Sequence, residues 1–172
     1  MAISKIPASD RLIVALDVPS TDEARKIVDE LGDAVSFYKI GLQLFPVGGV
    51  DLARELLTAD KKVFLDFKFY DIGATVRNAV VSVTGLGATF VTVHGDGDII
   101  ASAVAGRGNA DLKLLAVTVL TSMDAQSLEA LGFAGSVQDL VLKRARMALE
   151  AGADGVVASA QEVALLREEL GH

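Results

Sequence analysis

Cysteine is absent from the 172-residue sequence, which excludes disulfides, thiolate chemistry and cysteine-ligated zinc together. Proline is scarce, at three residues, and no low-complexity tract occurs, so nothing marks a linker and a single domain over 1–172 is expected. An excess of positive charge is also missing: 16 Lys and Arg stand against 23 Asp and Glu, a formal charge of −7 with a pI near 4.8. Surfaces for nucleic acid or anionic membrane need clustered cations. Neither partner is expected, and an acidic ligand would have to be met by a local basic site. No uncharged apolar run reaches the length of a membrane span, and the N-terminal MAISKIPASDR lacks the apolar core of a signal peptide. The cytoplasm is the expected location. What the chain has in quantity is apolar side chain, 51% of residues with a mean hydropathy of +0.44, enough for one substantial core.

That apolar content is distributed in a repeating alternation. Six short runs rich in β-branched residues read as strands buried on both faces: LIVALDV (12–18), VSFYKI (35–40), KVFLDFK (62–68), ATFVTVH (88–94), KLLAVTVL (113–120) and DGVVAS (154–159). Helical spacing fills the intervals, beginning with DEARKIVDEL behind the capping pair Ser20 and Glu23. VDLARELL, TVRNAVVSVTGLG, DGDIIASAVAG and SVQDLVLKRARMALEAG follow, and AQEVALLREEL comes last, behind Ser159 and Glu162. Gly32, Gly87, Gly106 and Gly152 stand where helices are expected to stop.

Strand–helix alternation of this kind makes a parallel sheet, either a closed (β/α)8 barrel or an open doubly wound sheet. Asp17, Lys39, Lys68, His94, Thr121 and Ser159 each fall at or just past the expected C-terminal end of a strand. Polar residues at every strand end suit a barrel mouth, whereas an open sheet concentrates them at one switch point beside a glycine-rich loop. No GxGxxG or GxxxxGK[ST] pattern occurs. The expected fold class is therefore α/β, a (β/α)8 TIM barrel, with six βα units in this chain. Two further units would need roughly 50–60 residues, and the sequence reads as C-terminally truncated.

Within this frame FLDFKFYDIGATV, residues 64–76, carries Asp66, Lys68 and Asp71 on an otherwise apolar strand. Buried charges cost several kcal/mol each unless paired. Strand alternation puts Phe64, Asp66 and Lys68 on one face and Leu65 and Phe67 on the other; the charged face is expected to look into the barrel, with Asp71 at the rim. Two carboxylates beside Lys68 would keep it protonated. The plain alternative is an ion-pair network that only fixes packing. The arrival of Asp17 and Lys39 at neighbouring strand ends favours a functional cluster.

VALDV, YKIGLQLF, FLDFKFYDIGATV, VTVLTS and GVVASAQE, in this order and across essentially the whole chain, resemble the motifs of bacterial orotidine 5′-monophosphate decarboxylases. The D-x-K-x-x-D element is shared with two sister enzymes, 3-keto-gulonate 6-phosphate decarboxylase and hexulose-6-phosphate synthase, which need Mg²⁺. The DIGATV continuation favours the orotidylate enzyme. A sister sugar-phosphate activity and a non-catalytic barrel fragment are the alternatives. The resemblance implies a homodimer with shared active sites, an orotidine 5′-monophosphate substrate and no metal or other cofactor. It implies that Asp17 holds the ribose hydroxyls and that Lys39 links ribose and charge network. Asp66 would lie against the departing carboxylate, and Lys68 would protonate C6. Asp71, Ile72 and Thr75 would reach into the partner's site, and Thr121 would read the pyrimidine edge. His94 matches a strand-end histidine expected to be hydrogen-bonded and structural. Ala74 stands where the family commonly has Asn, and Tyr70 where it frequently has His. The family's TPGIR-type phosphate segment does not occur in these residues, so negligible turnover is expected if they are the whole protein.

Overall fold

The computed structural model describes residues 6–130, 132, 133 and 135–171; the first five residues of the signal-peptide reading lie outside them. Local chemistry sets the helix starts. Helix α1 (Thr21–Leu31) begins at Ser20, whose Oγ accepts the Glu23 N–H at 3.2 Å and donates to the Glu23 carboxylate at 3.3 Å. The expected cap is formed, although the Glu23 carboxylate takes the Ser20 hydroxyl. A reciprocal capping box occurs at α6 (Val137–Glu150), between Ser136 and Asp139. There the two Ser136 donors hold the Asp139 carboxyl below its usual range. The expected cap at Ser159 is not formed in that way: its Oγ accepts the Gln161 N–H at 3.2 Å, and α7 (Val163–Leu170) starts after Glu162.

Strand β1 (Val14–Ala15) is shorter than the seven-residue run predicted for it. Strands β2 (Phe37–Gly41), β3 (Lys62–Phe69), β4 (Phe90–His94), β5 (Lys113–Val117) and β6 (Gly155–Val157) follow at the predicted places, β2 and β3 each running one residue past the predicted end, with α2 (Gly49–Thr58), α3 (Gly73–Thr84) and α4 (Gly97–Arg107) among them. One helix is additional: α5 (Ala125–Ala130) lies between β5 and α6. Asp124 opens it by accepting from the Ser127 N–H at 2.8 Å and hydroxyl at 2.7 Å. These donors keep the Asp124 carboxyl below its usual range.

The strands form one six-stranded sheet in the order β1-β2-β3-β4-β5-β6. Val14 pairs with Tyr38, Lys39 with Phe64 and Ala116 with Val156, each in parallel register. A doubly wound sheet reverses its strand order at a switch point, and sequential order does not. The fold class is α/β of the (β/α)8 barrel type, represented here by six βα units.

Two compact units divide the described residues. The first runs up to Phe67 and adds Ser82–Val91 and Ala110–Leu112; the second comprises Lys68–Val81, Thr92–Asn109 and the residues from Lys113 onward. In the first, Phe90 packs against Phe37 and Phe64 with centroids 5.3 and 5.8 Å away, beside the fully buried Tyr38, Ile40 and Leu65. Arg25 joins α1 to α2 by two 2.9 Å bonds to the Glu55 carboxylate. In the second, Val119, Leu128, Val141, Ala145 and Leu166 form a buried cluster. Asp154 accepts from the Leu114 N–H at 2.9 Å and pairs with Arg107, anchoring the start of β6 beside β5.

Gly106 does not end α4 as expected; Gly108, with φ of 55°, does. Gly106 instead lies inside the helix where a Cβ would meet the Arg77 carbonyl oxygen at 2.4 Å. Its missing side chain sets how closely α4 approaches α3. Gly106→Ala is expected to destabilise the protein by about 1–3 kcal/mol through this backbone clash, whereas Gly85→Ala, which meets nothing within 4 Å, is expected to be neutral or slightly stabilising. Thermal melts of both variants check the contrast.

Candidate active site

Within the first unit, three of the predicted site residues meet. Lys39 is the third residue of β2 and the only one of the five not fully buried; it lies mid-strand, not at the strand end as predicted. Its Nζ is 3.1 and 3.3 Å from the two carboxylate oxygens of Asp17, which stands two residues beyond β1. The same ammonium is 3.4 Å from Asp66 Oδ2, and the Lys39 and Asp66 side chains are only 19% and 15% exposed. Gly41, paired in register with Asp66, leaves the space: a Cβ there would be 3.2 Å from Asp17 Oδ1 and 3.5 Å from Lys39 Nζ. An ammonium shared by two carboxylates lets otherwise apolar strands carry charge, since each sheltered group keeps a partner.

The remaining predicted residues belong to the second unit. Lys68 breaks the expected pleat, because its φ is 49° and a strand continues its alternation only with extended backbone. Its N–H donates to Thr92 Oγ1 at 2.9 Å. Asp71 Oδ1 accepts the Ile72 N–H at 2.6 Å, and the Thr75 N–H donates to the Ile72 carbonyl at 2.9 Å, forming the turn into α3. Asp71, Ile72 and Thr75 are all exposed, Ile72 at 72%.

Tyr70 and His94 stack with ring centroids 4.2 Å apart at 34°. Asp96 accepts a hydrogen bond from the Tyr70 hydroxyl and so raises its pKa, with Arg144 opposing. The Asp96 carboxylate also lies 3.4 Å from His94 Nδ1. That atom is buried and makes no hydrogen bond among the described residues, so proximity to Asp96 does not amount to a bond of good geometry. The expected hydrogen-bonded histidine is, at this nitrogen, a stacked one. Thr121 lies four residues past β5, exposed at the mouth of a cavity of about 380 Å³ that Ser159, Ser136 and the buried Glu162 also line.

Thr92 and Asp96 were missed by the reading of the sequence. A signal for Thr92 exists: a hydroxyl in the middle of FVTVH, a buried parallel strand, needs a partner. Asp96 reads as a helix cap, but its side chain does not cap α4.

Residues 10–172 match the family model described as "Orotidine 5'-phosphate decarboxylase / HUMPS family". The chain belongs to this family. An orotidine 5′-phosphate decarboxylase of Nitrobacter winogradskyi is 58% identical over 94% of this chain and 67% of its own length. That of Bradyrhizobium diazoefficiens is 51% identical over 100% of this chain and 73% of its own. Among solved structures, orotidine 5′-phosphate decarboxylase from Lactobacillus acidophilus superposes with a TM-score of 0.86 at 39% identity, covering 94% of this chain and 76% of that one. No helix among the described residues is long and apolar enough to cross a membrane.

Lys39→Met removes the shared ammonium and leaves Asp66 sheltered beside Asp17. A loss of about 1–3 kcal/mol is expected at neutral pH. Denaturant melts of the variant and the wild type at pH 7.5 measure the difference.

Proposed function

We propose that this protein decarboxylates orotidine 5′-monophosphate to UMP, in de novo pyrimidine biosynthesis, in the cytoplasm and without a cofactor. The observation that carries the reading is the match of 94–100% of the chain to orotidine 5′-phosphate decarboxylases at 51–58% identity. Loss of CO2 from C6 of the pyrimidine leaves an electron pair in the ring plane, where the π-system cannot delocalise it. The chemistry therefore needs a fixed positive charge beside C6 that also delivers a proton. Lys68 takes that role: as the C6–CO2 bond breaks, its ammonium stabilises the carbanion, and one N–H proton passes to C6. Asp66, two positions earlier on β3, faces the departing carboxylate, and Asp71 completes the charge network. Asp17 binds the ribose hydroxyls, Lys39 links ribose to the network, and Thr121 reads the pyrimidine edge.

The protein acts as a homodimer in this reading, with Asp71, Ile72 and Thr75 of each subunit serving the other's site. Their exposure on the turn into α3 supports it, since residues that act across an interface have to stand clear of their own subunit. An apolar Ile72 that is 72% exposed is suited to burial against a partner.

In a chain that also carries the family's phosphate-binding segment, decarboxylation of orotidylate, followed by its ultraviolet absorbance, tests the reaction. Lys68→Ala is expected to lower kcat at least about 10³-fold, because charge stabilisation is lost together with the proton donor. Activity should persist in EDTA; a sugar-phosphate activity abolished by EDTA, with none on orotidylate, would replace this reading by the sister reaction. Mixing inactive Lys68→Ala and Asp71→Ala proteins tests the shared site. Half of randomly exchanged dimers are mixed and each holds one intact site, so recovery to roughly a quarter of wild-type activity is expected. No recovery despite subunit exchange would place Asp71 in its own subunit's site.

A further inference from the structure

Among the described residues two non-glycine positions have positive φ, Asp60 at 56° and Lys68 at 49°. Asp60 lies in the turn after α2, where Asp is tolerated in the left-handed region. Lys68 lies inside β3, the seventh of its eight residues, where no turn calls for such a conformation. An unbranched side chain there is strained, and surrounding contacts have to hold it. One such contact is the 2.9 Å bond from the Lys68 N–H to Thr92 Oγ1. Thr92 is fully buried in the middle of β4, so its hydroxyl is presented by a packed strand, not by a mobile loop.

We infer that Thr92 is a positioning residue for the reaction: its hydroxyl, by accepting the Lys68 amide proton, holds the backbone of Lys68 in the left-handed conformation from which the ammonium is aimed. This rests on the reading of Lys68 as the proton donor. The direction of a side chain follows from φ and ψ through the Cα–Cβ bond. Relaxation of Lys68 to extended backbone would restore the pleat and redirect Cβ, carrying Nζ away from where the carbanion forms. A displacement of about 1 Å can cost on the order of 100-fold in rate, so a hydroxyl that never touches substrate can still govern turnover. Substrate affinity should be nearly indifferent to it, because the ribose and pyrimidine contacts come from other residues.

Two variants separate positioning from packing. Thr92→Val keeps the branched shape and loses the acceptor; Thr92→Ser keeps the acceptor and loses a methyl. Thr92→Val is expected to lower kcat about 10- to 100-fold with KM for orotidylate changed less than about threefold, and Thr92→Ser to stay within about threefold of wild type. In ¹⁵N-labelled protein the Lys68 amide should be protected from hydrogen exchange in wild type and Thr92→Ser and lose that protection in Thr92→Val. The inference is overturned if Thr92→Val keeps wild-type kcat, if Thr92→Ser falls as far as Thr92→Val, or if the Lys68 amide exchanges alike in all three. A wild type inactive on orotidylate would refute the proposed reaction instead, and the amide measurement would still decide whether Thr92 holds Lys68. If Thr92→Val does not fold, Thr92→Ala and the wild-type amide exchange carry the same comparison.

Discussion

A single ammonium group, Lys39 Nζ, serves two carboxylates, the exposed Asp17 and the sheltered Asp66. It lies 3.1 Å from Asp17 and 3.4 Å from Asp66, and through it the charges of β2 and β3 become compatible with a core that includes Tyr38, Ile40 and Leu65. Charge placed on a buried sheet is tolerable only when each group keeps a partner. The parallel register that pairs Gly41 with Asp66 supplies the room, since a side chain at Gly41 would crowd both Asp17 and Lys39. Register, a glycine and a salt link are thus one arrangement. A slip of β2 by one residue would turn Lys39 to the opposite face and leave both carboxylates without it.

The second unit manages its polar groups differently. Around Lys68 it uses hydroxyls and rings: Thr92 takes the Lys68 amide, Tyr70 lies on His94, and Asp96 receives the Tyr70 hydroxyl. The Tyr70 ring thus has both a stacking partner and an acceptor. The exposed run Asp71, Ile72 and Thr75 gives the dimeric reading its physical content, because it concentrates polar and apolar contact groups on one short turn beside the proposed proton donor.

Much of this was readable in the residues. Strands β2 to β6 lie where they are predicted, β2 and β3 running one residue further, because apolar, β-branched segments between helical ones have few other ways to bury themselves. The helix starts at Ser20 and Ser136 follow from local hydrogen bonding that a few neighbouring residues complete. The misreadings share a cause. Gly106 looked like a helix stop, yet it is a close approach to Arg77, which depends on a second helix distant in sequence. Helix α5 was passed over because six residues give little periodicity; Leu128 is held in it by the cluster of Val119, Val141, Ala145 and Leu166. Lys39 was assigned to a strand end, and only its pairing with Phe64 shows the strand continuing past it.

The sequence by itself determined the alternating βα pattern, the absence of thiol and basic-surface chemistry, and the motif-carrying residues Asp17, Lys39, Asp66, Lys68 and Asp71, since composition, periodicity and motif spacing are properties of the chain. Only the tertiary structure decided that Lys39 is the ion-pair partner of both Asp17 and Asp66, that Lys68 leaves the strand pleat, and that Thr92 receives its amide. Each of these depends on which groups meet across neighbouring strands, which register and packing set among residues 22 to 27 positions apart.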